Sequence, residues 1–237
     1  MNESQDPAKS RRKLFRSLKI WGGLIVVLVG IGYGAVWLTQ DVPLPGGEGA
    51  LLSVPVGDTD QIQGPSDAPI TLVEYSDFQC PACAAFFPLL EELKKDPLLM
   101  GKIRFVYRHF PLDNIHPNAR RAAQFAEAAG LQGKFWEFHD ELFKRQSSWS
   151  GLSRAKAEEA FVAYARELGL AIDRLESDAD SAAVASRVQD SFASGISSGI
   201  NSTPSFFVNG KRMVHPTGYE QFKQTLLIAI PSTSQTP

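Results

Sequence analysis

The chain has two cysteines, Cys80 and Cys83, separated by Pro81 and Ala82. A C-x-x-C can serve as a structural staple, as half of a metal site or as a redox couple. As a staple it does little: a disulfide stabilises by restricting the unfolded chain, and a bridge across so short a loop restricts almost nothing. As a metal site it supplies two of roughly four ligands. The histidines that could complete it, His109, His116, His139 and His215, are scattered and lack the short His–His spacing of a zinc site. Thiol–disulfide exchange asks for something different, an accessible thiol of low pKa with a second thiol close behind it to resolve the mixed disulfide.

The flanking elements suit that third chemistry. "ITLVEYS" is apolar and β-branched and reads as a buried strand over Ile70–Ser76. After the cysteines, "AAFFPLLEEL" reads as a helix that Pro88 should kink. Cys80 therefore falls where a short loop opens a helix, with Pro81 at the first helical position, where a missing N–H costs nothing. A thiolate at that point is stabilised by the free amides and the positive end of the helix dipole. Cys83 lies one turn on, on the same face and deeper, placed to attack a mixed disulfide at Cys80. The pair reads as reactive.

Farther along, Lys102–Phe110 reads as a second strand, and helical patterns cover Ala119–Ala129, Lys134–Arg145, Arg154–Leu168 and Ile172–Ala193. In the second of these helices Phe135, Phe138, Leu142 and Phe143 recur at helical spacing and predict a packed aromatic face. "PSFFVNGKRMV" reads as strand, Asn-Gly turn, strand, and Tyr219–Ile228 as a closing amphipathic helix. A strand–helix–strand start predicts a parallel pair joined by a right-handed crossover, and the hairpin adds antiparallel strands. The expected fold class is α/β: a small mixed sheet with flanking helices and an inserted helical block at about 117–199.

The runs "VEYSDFQCPACAAFFPLL" and "GINSTPSFFVNG", with the helical block between them, resemble the DsbA-like thiol–disulfide oxidoreductases of the thioredoxin superfamily, over roughly Gly64–Ile228. The resemblance implies a thioredoxin-like fold, Cys80 as nucleophile and Cys83 as resolver. It implies a cis peptide at Thr203–Pro204 beside the cysteines, where Thr203, Pro204, Pro81 and Ala82 would meet the substrate chain. It places Glu74 at a buried acidic position, where its carboxylate would relay the proton of Cys83, and makes Pro88 the family's kinking proline. One departure is Ala82, where the best-known members carry a histidine that stabilises the thiolate. A weaker oxidant than a C-P-H-C enzyme is expected, because stabilising the reduced form raises the potential.

The ends of the chain speak to location. Segment 1–19 holds six basic residues against Glu3 and Asp6, a local charge of +4 within a total of −2, so the remainder carries −6. That acidic balance argues against nucleic-acid binding. Segment 20–38 has no charged residue and is about as long as a membrane-spanning helix, with Trp21 and Trp37 near its ends. After Lys19 the next basic residue is Lys94, which predicts a cytoplasmic amino terminus and an extracytoplasmic remainder. Pro- and Gly-rich 39–63 reads as a flexible linker with a short strand near Gln61–Gln63, 64–230 as the folded domain and 231–237 as a polar tail.

The expected function is that of a thiol–disulfide oxidase, single-pass in a bacterial inner membrane with its catalytic domain in the periplasm. It would need no cofactor beyond the Cys80–Cys83 disulfide. Its expected partners are reduced, partly unfolded proteins and a separate membrane redox partner that reoxidises it. The alternatives are a reductase or isomerase, or a non-catalytic C-x-x-C protein that binds metal or assists assembly.

Overall fold

A computed structural model describes residues 48–231, all within the second of two units into which the chain divides, Pro45–Pro237. The basic segment 1–19, the apolar segment 20–38 and residues 232–237 lie outside the described residues. Among those described, no helix is long and apolar enough to cross a membrane.

The elements run β1 (Gln61–Gln63), β2 (Ile70–Ser76), α1 (Pro81–Lys95), β3 (Ile103–His109), α2 (Ala119–Gly130), α3 (Phe135–Lys144), α4 (Gln146–Trp149), α5 (Arg154–Glu167), α6 (Ile172–Ala179), α7 (Ala182–Ser197), β4 (Ser205–Val208), β5 (Lys211–Arg212) and α8 (Tyr219–Ile228). The sheet order is β1-β3-β2-β4-β5. β2 and β3 are parallel, as a strand–helix–strand unit requires, and the other neighbours are antiparallel. Asn209 and Gly210 form the two-residue β4–β5 turn, with φ of 49° and 80°. Positive φ at both positions is what a type I′ turn needs, and Asn-Gly supplies it at low cost.

Strand alternation sorts the side chains onto two faces. Leu72, Phe105, Tyr107, Phe206 and Val208 face one core together with Cys83, Leu90 and Leu93 of α1, the aromatic face of α3, and Phe222 and Leu226 of α8. Val73, Tyr75, Val106 and Phe207 face the other, covered by Phe110, Ile200 and Phe192 of α7. At Gly195 of α7, a Cβ would lie 2.5 Å from the Phe110 ring, so only glycine permits this approach of helix to sheet. By the same alternation, Glu74 and Ser76 share the α1 face with Tyr107.

Two details differ from the sequence reading. The pattern over Ile172–Ala193 is two helices, because the Ser181 hydroxyl accepts the Val184 N–H at 3.2 Å and caps a new start at α7. The described part of the linker is held to the domain. Leu51 bridges Lys211 on the β5 edge, and Gly49 and Leu52 donate to Arg212 and Gly210 at 2.9 and 2.8 Å. The segment then crosses to β1 with Leu52 and Val56 packed on the second core. Buried Arg108 fastens it, donating to the Val54 and Pro55 carbonyls, both at 2.9 Å, and to both Asp60 oxygens at 2.7 and 2.8 Å. The cause is a few apolar side chains and one buried cation that a Pro/Gly-rich composition hides.

Candidate active site

Cys80 is the N-cap of α1 and Pro81 its first residue, so the Cys80 sulfur meets the free amides of the first turn. The loop that brings it there is tied from several directions. Asp77 accepts the N–H of Gln79 at 2.7 Å and of Leu112 at 2.9 Å, and pairs with His116 Nδ1 at 2.8 Å. Gln146, at the start of α4, donates to the carbonyls of Phe78 and Cys80 at 2.8 and 2.9 Å. Gln79 donates to the Ser150 carbonyl at 2.6 Å and accepts the Asn118 N–H at 2.6 Å. The inserted helices thus set the backbone on which Cys80 stands.

Both cysteines are free thiols, Cys80 at 7% exposure and Cys83 at 1%. Across from them the Thr203–Pro204 peptide is cis. The Cys80 thiol donates to the Thr203 carbonyl at 3.5 Å. Beside the pair opens a groove of about 480 Å³, lined by Ala82, Thr203, Pro204, Arg212, His215 and, from the linker, Glu48. Pro81 and Ala82 are exposed. Cys80, Cys83, Pro81, Ala82, Thr203 and Pro204 are therefore gathered at one place. Among the described residues, no group of three or more His, Cys, Asp or Glu side chains is placed to hold a metal ion.

The two thiols are pushed in opposite directions. The Cys80 pKa is lowered to about 5, first by the hydrogen bond from the Cys83 thiol. Burial opposes this. Thr203 and the amides of Cys83 and Ala82 lower it further. Cys83 is raised well above an ordinary thiol, first by burial and then by the Cys80 sulfur and the Glu74 charge. Near neutral pH the outer sulfur is a thiolate and the inner one a thiol.

Glu74 stands behind them in the middle of β2, between Tyr107 and Phe206 in register, at 2% exposure. It faces the core of α1, not water. Burial raises its pKa to about 7, against the Ser76 hydroxyl and the Lys94 ammonium. A narrow cleft lined by Glu74, Cys83, Glu91, Lys94 and His139 joins it to the inner thiol, without room for a water molecule. His109, outside the candidate set, pairs with buried Glu127 at 2.9 Å. Pro88 is inside α1, removing one helical donor.

Sequence reasoning missed Asp77 and Gln146. Asp77 carried a readable signal, an Asx turn to Gln79 just before a helix start. Gln146 carried none, since its role depends on how the insertion folds back.

The thioredoxin family profile matches residues 57–227. A thioredoxin-like oxidoreductase from Silicibacter pomeroyi superposes with a TM-score of 0.61 at 27% identity, covering 73% of this chain and 93% of that one. Wolbachia pipientis α-DsbA1 superposes with a TM-score of 0.64 at 22% identity, over 76% of this chain and 96% of that one, a likeness of fold. Among curated proteins, the Na(+)/H(+) antiporter NhaA 3 of Salinispora tropica is 39% identical over 188 residues, 78% of this chain and 27% of the antiporter. The chain spans about a quarter of the length of the curated relatives it matches. With the family profile covering most of its length, on a sheet of thioredoxin-like order with the C-x-x-C at the start of α1, the chain belongs to the thioredoxin family.

Proposed function

We propose that this protein is a thiol–disulfide oxidase that transfers its Cys80–Cys83 disulfide to reduced, partly unfolded proteins outside the cytoplasm, anchored by segment 20–38. The observation that carries the reading is the opposed shift of the two thiols beside the Pro204 groove. A thiolate at Cys80 stabilises the dithiol, so the disulfide gives itself up readily.

In the transfer, a substrate thiolate lying along Thr203–Pro204 attacks Cys80 Sγ. The Cys80–Cys83 bond breaks and Cys83 leaves as a thiolate, which takes a proton because its pKa is high. Glu74, with a pKa of about 7, supplies that proton. The second substrate thiolate then attacks the substrate sulfur of the mixed disulfide and expels Cys80 as the stable thiolate. The substrate loses two electrons, and the protein ends reduced, with Cys80 as the thiolate and Cys83 as the thiol. A separate membrane partner would reoxidise it.

The test is the equilibrium reduction potential of Cys80–Cys83 against glutathione buffers. A value near or above ~−180 mV, that of disulfide isomerases, supports the oxidase. A value near thioredoxin's ~−270 mV assigns the reductase instead.

A second reading concerns the client. In the Salinispora relative, a similar segment is part of a Na(+)/H(+) antiporter. That joining favours a membrane transport protein as the thiol partner of this chain. Mixed disulfides trapped on Cys80 in a Cys83→Ala variant, isolated from membranes, would identify it; a haul of soluble secreted proteins alone would discard this reading.

A further inference from the structure

The reaction just described needs a proton to pass between Glu74 and Cys83, and the cleft that joins them has no room for water. A side chain in reach of both groups can carry it. Ser76 lies two residues after Glu74 on β2, and a period of two puts both on the α1 face. It is 1% exposed, and its Oγ makes no hydrogen bond of ordinary length although it lies close enough to act on its neighbours. A hydroxyl can donate and accept at once, and most buried ones have at least one partner. One held only loosely between two ionisable groups is free to turn from one to the other.

We propose that the Ser76 hydroxyl is the proton relay between Glu74 and Cys83, rotating to hand a proton from one to the other during disulfide exchange. The proposal rests on the oxidoreductase reading and adds a residue to it. As the substrate thiolate opens the disulfide, the Ser76 O–H bond breaks toward the Cys83 thiolate and its proton forms the Cys83 S–H. The Ser76 oxygen takes the Glu74 carboxyl proton in the same passage, leaving a carboxylate. In the reverse direction every transfer runs backward, and the electron count is that of the disulfide alone.

The electrostatics agree with this placement. The Ser76 hydroxyl favours the ionised form of Glu74, of Cys83 and of Tyr107, so it reaches all three. Tyr107 is the competing hydroxyl, also buried and without a partner. It stands opposite Glu74 in register, and the charges of Glu74 and Cys83 both raise its pKa, so it lies near both and the variants below must separate the two hydroxyls. The other ionisable groups facing this spot are Glu91 and Lys94 from α1, His139 from α3 and Asp77 from the loop. Burial lowers the pKa of His139, which keeps it neutral, so it adds no charge that titrates with Glu74.

The experiment is the reduction of the oxidised full-length protein by dithiothreitol, followed by the ultraviolet absorbance of the Cys80 thiolate. Rates are corrected for the thiolate fraction of the reagent and taken from pH 5 to 9. The wild-type rate should fall as pH rises through about 7, where Glu74 loses the proton it donates. Ser76→Ala should be slower below that point by roughly a hundredfold, the low end of general acid catalysis, and should lose the inflection. Ser76→Thr should restore both, and Tyr107→Phe should keep the inflection. The idea is overturned if Ser76→Ala keeps the wild-type rate and inflection, or if Tyr107→Phe alone removes them. A wild-type protein without the inflection removes the Glu74 path and Ser76 with it. A wild-type disulfide that exchanges with no thiol sinks the oxidoreductase reading itself, which is a separate result.

Discussion

The largest stabiliser of the Cys80 thiolate is a hydrogen bond from its own partner, so Cys83→Ala should raise the pKa of Cys80. A hydrogen bond to a charged group contributes about 1.5–3 kcal/mol, which at about 1.36 kcal/mol per unit is roughly 1–2 pKa units. From about 5 the value should therefore move to roughly 6–7. Cys83→Ser keeps a donor and should stay within about a unit of wild type. The assay is thiolate absorbance against pH; in the alanine variant it reports one sulfur only. The size of the wild-type shift also sets the redox scale. With a pKa of about 5, the reduced form at pH 7 gains the equivalent of two pH units. That is about 2.7 kcal/mol, or ~60 mV for a two-electron couple. The sign follows from the thiolate: the gain is present above pH 5, grows toward the ordinary thiol pKa and is lost as pH falls through about 5. An unchanged pKa in Cys83→Ala would show that the amides and Thr203 hold the charge. A wild-type value near that of a free thiol would refute the whole argument for an oxidising disulfide.

Three further outcomes follow from the same geometry. Glu74 holds its proton up to about 7 when folded and loses it near 4.5 when unfolded, so stability should fall as pH rises between those values. Glu74→Gln should remove that slope, worth up to about 3 kcal/mol, in urea titrations at pH 4 and pH 8. Gln146→Ala leaves the buried Phe78 and Cys80 carbonyls without their donor and should cost about 1–3 kcal/mol in the same assay, with slower exchange at Cys80. Arg108→Ala strips the counter-ion from Asp60 and the donors from Val54 and Pro55. It should cost about 3–5 kcal/mol, with hydrogen exchange rising first over 53–60; an unchanged exchange pattern there would mean that Leu52 and Val56 hold the segment alone.

What the sequence made legible is what a few neighbouring residues decide by themselves. β2 reads from its β-branched run, and the Asn-Gly turn from the two positive φ values it needs. The start of α1 reads from Pro81 after a strand. The reactive pair reads from this too, because the helix start that lowers the pKa of Cys80 is local. Glu74 is a harder case. Alternation puts it on one face of β2, but which face is covered depends on α1 and α3 returning over it, and only then does its carboxyl become a buried acid. The break between α6 and α7 hid because Ser181 is a good cap but also an acceptable helix residue, and apolar spacing continues across it. The linker misled for the reverse reason: its composition is that of a tether, yet Leu52, Val56 and one buried guanidinium are enough to hold it.

The least legible feature is the division of labour between the sheet and the insertion. The β2–α1 unit gives Cys80 its helix start and sets Cys83 one turn behind it. The loop that carries Cys80, however, is fixed by Gln146, Asn118 and Ser150, all from the helical block, and by Leu112 and His116 just before it. Each of these bonds ends on the loop backbone or on Asp77 and Gln79, not on a sulfur. The insertion therefore acts on the disulfide by holding its frame. Changes within the block should alter how fast Cys80 meets a substrate more than how acidic it is, because the groups that set its charge are Cys83, Thr203 and the first-turn amides. A shift in the Cys80 pKa on Gln146→Ala as large as that on Cys83→Ala would contradict this separation.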